Sequence, residues 1–485
     1  MWVVASILAP LAMILLSTHD PYVIFGCCAV ASACAVWMLY SFVTGQRQLR
    51  LAWLLASSIL IGYCLGTCTV QFNAMNRGMS PMGFLSVSPS SVAYALVLVL
   101  VSCMLLLFLG AIEKPLVRKS DIIDFNWRHE RFLWAALGLI LLAYIHGDMT
   151  LNGTVVSDTR ISVLGGIAGP LSSIVAPLAF LGVIRCSGVV RIRAALITLC
   201  GLVVTIPQGR RPFIYALLLM GIVGSSMAGR RVRLSGVQKA ALAAAGAVLV
   251  SVVSLFFIGL RIASYQIGAD ADHSITSVVR VANRTSFKTL NDTATALDEN
   301  MQERPGGLIT YLAQLTRGGD TPAPLLGKDL ALGMELAVPQ VFYRLEGSDK
   351  TEVASLGGEE SLANESVGLP SDVDSANSLL SAGAVDFGVP GALIYPALWT
   401  IFVLVLIAVA RSFLPRSVMP VLLIAILNQF LLAENPIGGY ISDLRSIAML
   451  GIIWALVYYI PIVRLQRNVV PSGYETDVTP AINRG

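Results

Sequence analysis

The sequence predicts an all-α polytopic membrane protein of about twelve transmembrane helices with one large extracytoplasmic loop of mixed helices and coil. Three observations lead there. Apolar residues make up 56% of the 485 and charged residues only 13%, and the mean hydropathy is +0.75, a composition with which a soluble chain would precipitate. The apolar residues are gathered in runs close to the roughly 20 needed to cross a hydrocarbon core as helix. Between the runs, Lys and Arg collect in short loops that fall on one side when the runs are threaded alternately. The net charge of +4 therefore speaks to topology and not to a nucleic-acid partner. No zinc-ligand spacing, Walker loop or Rossmann glycine pattern is present.

Taken in order, the expected spans are 2–17, 21–43, 51–72, 92–112, 132–147, 161–184, 194–207, 212–228, 240–262, 388–410, 417–433 and 446–463. The first is followed at once by another apolar run and has no basic segment before it, so it reads as a span and not as a cleaved signal peptide. The orienting charges are Arg47 and Arg50; Lys114, Arg118, Lys119, Arg128 and Arg131; Arg185, Arg191 and Arg193; Arg230, Arg231, Arg233 and Lys239; Arg411 and Arg416; and Arg464 and Arg467. Both termini are then expected in the cytoplasm. On this reading 1–262 holds spans one to nine, 263–387 is the external loop, 388–463 holds spans ten to twelve, and 464–485 is a cytoplasmic tail. The eight cysteines all lie in or beside apolar runs and none in the loop, which argues for small buried hydrophobes and against a disulfide scaffold.

The loop 263–387 holds eight Lys or Arg against eighteen Asp or Glu, and a connection of such length is usually functional or disordered. Residues 275–301 read as a helix and 304–385 as short helices and coil. Three features on this side carry chemistry. The first is the turn Pro207-Gln208-Gly209-Arg210-Arg211-Pro212-Phe213, where two adjacent arginines break the charge bias; a guanidinium at membrane depth is costly and suits phosphate oxygens bidentately. The competing account is that both snorkel to ordinary headgroups. The second is Arg261, followed by Arg280, Arg284 and Lys288 at spacing four on one face of the loop helix, a cationic stripe that either binds an anion or pairs with acids such as Asp292. The third is the return to the membrane, Asn364-Glu365-Ser366 through Asp372-Val373-Asp374 to Ser378-Leu379-Leu380-Ser381-Ala382-Gly383-Ala384-Val385-Asp386-Phe387-Gly388-Val389-Pro390-Gly391, where acids, hydroxyls and glycines converge. A carboxylate there can serve as base toward an acceptor hydroxyl, Asp386 can instead cap the tenth helix, and the glycines permit a turn and close packing.

The Asp386-Phe387-Gly388-x-x-Gly391 segment after a long external loop, with the short Gly209-Arg210-Arg211 turn two spans before that loop, resembles the Wzy-type oligosaccharide repeat-unit polymerases of bacterial surface polysaccharides, the O-antigen and exopolysaccharide polymerases. The resemblance implies an inner-membrane transferase that moves a growing glycan from undecaprenyl pyrophosphate onto the next lipid-linked repeat unit, using no cofactor, metal or nucleotide sugar. It implies as partners the undecaprenyl-pyrophosphate-linked oligosaccharide, the lipid bilayer and a chain-length regulator protein. The family's short-turn arginine falls on Arg210 or Arg211, and its other external arginines suggest Arg160, Arg284 and Arg344. Where the family carries a Gly-Glu pair and an aromatic before the last glycine segment, this chain has Asn377-Ser378-Leu379-Leu380. The base is thus open among Glu365, Asp372, Asp374 and Asp386, with Asp386 and Glu365 leading. Two other classes share the layout: a ligase handing the finished glycan to a lipid acceptor, and a flippase, which would need polar or broken helices at midplane and often repeated halves.

Overall fold

The computed structural model describes residues 1–85, 87–118, 125, 127–146, 149, 163–208, 210–227, 307–316, 324–338, 377–435 and 437–459, and every regular element among them is a helix. In chain order these are α1 (Trp2–Ser17), α2 (Pro21–Val43), α3 (Leu51–Leu60), a π-helical turn (Ile61–Leu65) running straight into α4 (Gly66–Asn76), α5 (Pro89–Ile112), α6 (Trp127–His146), α7 (Val163–Arg185), α8 (Gly188–Thr205) with a 3₁₀ turn (Ile206–Gln208), and α9 (Arg210–Ser226). Two short helices follow, α10 (Gly307–Leu315) and α11 (Lys328–Ala337), then α12 (Leu379–Phe413), α13 (Met419–Phe430) and α14 (Ile437–Tyr459).

Local chemistry starts these helices where the sequence allows. Asp20 accepts from the Tyr22 amide at 2.9 Å with Pro21 at the first position of α2, and Ser88 accepts from the Ser91 amide at 3.2 Å with Pro89 opening α5. Six helical segments among the described residues are long and apolar enough to cross a membrane: Pro21–Val43, Leu51–Asn76, Pro89–Ile112, Ile167–Arg185, Gly188–Gln208 and Leu379–Phe413. Trp2–Ser17, Pro212–Ser226 and Met419–Phe430 are shorter apolar helices. The protein is an α-helical membrane protein. Large apolar side chains such as Trp2, Phe108, Ile112, Ile145 and Phe413 face outward, as the lipid-facing side of a bundle requires.

The bundle has two distinct ends. At one, the loops carrying the orienting charges interlock around α5. Arg50 donates to the Gly110 carbonyl and, at 2.8 Å, to that of Ala111, so it caps the C-terminus of α5. In return Glu113 accepts from the amides of Leu51 and Ala52 at 2.7 and 3.1 Å and caps the N-terminus of α3. Arg411 donates to the Leu116 carbonyl, Leu116 to that of Leu49 at 3.0 Å, and Ser225 to that of Phe42 at 2.7 Å. The opposite end carries α10, α11 and the break in α12.

Two expectations are corrected here. The helix expected over 388–410 is preceded by a further helical arm from Leu379, joined to it across a break at Phe387 (φ −136°, ψ 16°) and Gly388 (φ 65°, ψ −149°); an alternation of small and apolar residues cannot tell such an arm from coil or from the end of a span. Nor is the charge bias broken by the paired arginines alone: Arg77, over the Phe84 ring at 5.3 Å, and Arg445, within α14, also lie toward the end away from the basic loops. The span expected over 240–262 lies outside the described residues.

Candidate functional site

The break in α12 is built by its glycines. Gly388 takes a left-handed φ that a side chain would strain, and the arms on either side fold so closely that a Cβ on Gly383 would overlap the Gly391 carbonyl and one on Gly391 the Gly383 carbonyl. Ser378, not Asp386, caps this helix: its hydroxyl accepts from the amides of Leu380 and Ser381 at 3.1 and 3.3 Å, and the Ser381 hydroxyl accepts from the Ser378 amide at 2.6 Å. Asp386 does cap a helix, but a different one. Its Oδ1 accepts from the Asp329 amide at 3.0 Å and its Oδ2 from the Leu330 amide at 3.1 Å, which satisfies the first turn of α11. The Tyr395 hydroxyl adds a third donor to Oδ2 at 2.7 Å, and the residue is fully buried. The backbone joins in: Leu325 donates to the Val385 carbonyl at 3.0 Å and Leu326 to that of Asp386 at 2.9 Å. This pairing holds Leu326 at a positive φ of 53°. Asp386 therefore latches α11 onto the break.

A second polar knot lies where α3 passes into α4. The π turn displaces one residue outward, and Tyr63 within it shares a hydrogen bond of 2.5 Å with the Ser378 hydroxyl. Asn377 accepts from the Ser378 amide at 2.8 Å and from the Ser381 hydroxyl at 2.5 Å. Neighbouring chain seals the turn: Ser58 donates to the Phe430 carbonyl at 2.7 Å, and a Cβ on Gly62 would meet the Ala433 methyl at 2.6 Å.

From that seal the chain runs into Asn435 and α14. Asn435 donates through Nδ2 to Asp443 Oδ2 at 3.2 Å, while Asp443 Oδ1 has no partner among the described residues and the residue is partly exposed. Arg445 donates to the Ser442 hydroxyl at 3.2 Å, and Tyr440 to the Leu432 carbonyl at 2.6 Å. Helix α14 packs on α7, α11 and α13, and α13 packs on α9. Arg210 and Arg211 are the first two residues of α9 rather than part of the turn, because Pro212 is compatible with a first helical turn. Two cations at a helix N-terminus oppose the helix dipole, so the position needs a reason other than helix stability. Just before them, Gln208 accepts from the Ser172 hydroxyl at 3.0 Å. No family model, curated protein or solved structure matches this chain.

Of the residues singled out by sequence, Asp386 is in contact with α11, and Arg210 and Arg211 are placed by their backbone alone. Arg160, Arg261, Arg280, Arg284, Lys288, Arg344, Glu365, Asp372 and Asp374 lie outside the described residues. Sequence reasoning missed Tyr63, Asn377, Asn435, Asp443 and Arg445. The last two carried a readable signal, since ionisable residues within an apolar helix mark a functional position by default.

Proposed function

We propose that the protein polymerises undecaprenyl-diphosphate-linked oligosaccharide repeat units at the outer face of a bacterial inner membrane. In this reading twelve helices span the bilayer, both termini and the interlocked basic loops face the cytoplasm, and 263–387 lies outside. The reaction transfers the growing glycan from one lipid diphosphate to the sugar of the next lipid-linked unit. Leaving-group charge builds on a diphosphate oxygen, which fixed guanidiniums at a membrane boundary can stabilise, and an acceptor hydroxyl needs a base. Arg210 and Arg211 are the proposed diphosphate ligands, together with the external arginines and Lys288. The observation that carries the reading is that α13 packs both on α9, which opens with Arg210 and Arg211, and on α14, whose Asp443 has one oxygen without a partner among the described residues. Glu365 remains a proposed contributor from the loop. Asp386, with three donors on two oxygens and no exposure, fits a latch better than a base.

Removing the protein from its host tests this reading. A polymerase predicts surface glycan reduced to a single repeat unit; loss of all surface glycan would point to a ligase or a flippase and overturn it.

A further inference from the structure

Resting on that reading, we infer that Asp443 is the catalytic base, oriented by Asn435. Its Oδ1 takes the proton of the acceptor hydroxyl while the acceptor oxygen bonds to the anomeric carbon of the donor. The bond from that carbon to the diphosphate oxygen breaks, and its electron pair leaves with undecaprenyl diphosphate. The proton then passes from the carboxylic acid to water or to the departing diphosphate, so the products are one longer glycan and one lipid diphosphate.

A general base needs one oxygen held in place and the other within reach of the substrate. Asp443 Oδ2 is held by Asn435 at 3.2 Å, and Oδ1 has no partner among the described residues. Its helix carries it toward the same end as the arginine-led start of α9, and α13 packs against both helices. Asn435 sits on the loop sealed against the π turn, so the orienting amide is fixed to the bundle and not to the external loop. Arg445, two residues along α14, acts on Asp443 through its charge, while the hydrogen bond that holds Oδ2 comes from Asn435.

Purified protein in nanodiscs, supplied with lipid-linked repeat units, decides the matter. Asp443→Asn keeps an acceptor for Asn435 but is no base; it is expected to melt at the wild-type temperature and to elongate about 10²–10⁴-fold more slowly. Asp443→Ala is expected to be equally slow and to regain at least about tenfold with added sodium formate, a small carboxylate that can occupy the vacated place. Asn435→Ala should lower kcat and leave KM near its wild-type value, because the base is misaimed while substrate still binds. Elongation by Asp443→Asn within about twofold of wild type overturns the assignment, as does loss of melting temperature in both Asp443 variants without formate rescue, which would mark a structural residue. If the wild type itself makes no ladder from these substrates, the functional reading fails first and this inference falls with it.

Discussion

Two carboxylates at the same end of the bundle have opposite surroundings. Asp386 is fully buried with three donors on its two oxygens, whereas Asp443 is partly exposed and, among the described residues, holds one donor and keeps one oxygen open. The difference separates a group that builds the site from one that can act in it. A saturated carboxylate ties loop helix α11 to the break in α12, in the manner of Glu113, which caps α3 from the end of α5. A half-buried acid with an unspent oxygen carries a desolvation cost, which a chemical role would explain.

If that contrast is right, the largest loss of stability comes from emptying the latch. Asp386→Ala leaves two helix amides and the Tyr395 hydroxyl without an acceptor, at about 1–3 kcal/mol each; a fall in melting temperature with separation of α11 from the bundle is expected, read by protease sensitivity after residue 324. Unchanged melting and protection would remove Asp386 from its structural role. The next effect is at the break. Gly391→Val thrusts a branched side chain into the Gly383 backbone and should cost about 1–3 kcal/mol, measured by thermal unfolding in detergent, while Gly388→Ala should cost a similar or smaller amount through its left-handed φ. A gain in stability from either would mean that the arms do not fold against each other. The smallest effect is expected of Tyr63→Phe, which removes one hydroxyl from the Ser378 knot at about 1 kcal/mol and should leave elongation close to wild type.

Much of this was written in the sequence, but unevenly. Spans with long apolar runs, such as Pro89–Ile112, are read directly because hydropathy and length suffice. The arm Leu379–Asp386 is not, because S-L-L-S-A-G-A-V has the composition of a span end, and only contact between Gly383 and Gly391 reveals that it folds back. The Asp386-Phe387-Gly388 triplet was visible as a special point; that its carboxylate serves α11, 57 residues away from Asp329, is a long-range fact no local pattern carries. The π turn at Ile61–Leu65 has no signature in I-G-Y-C-L. Asp443 and Arg445 were legible but fell just ahead of the apolar window that defined the last span, so their place inside α14 was lost.

Arg50 is spent on the C-terminus of α5, a structural duty a lysine could partly cover, while a diphosphate grip uses the planar fork. Arg210→Lys or Arg211→Lys, at whichever residue carries the grip, should lower elongation by about tenfold or more with normal protein level in the membrane. Full activity in the double Arg→Ala variant would return both to contact with ordinary lipid headgroups.

Elongation of lipid-linked glycan by this single chain is tested most directly by the product distribution when purified protein alone is given undecaprenyl-diphosphate-linked repeat units. A ladder of products differing by one repeat unit, growing with time and releasing one lipid diphosphate per step, is the predicted result. Substrate recovered unchanged, or glycan moved once to a different lipid acceptor without a ladder, would contradict it.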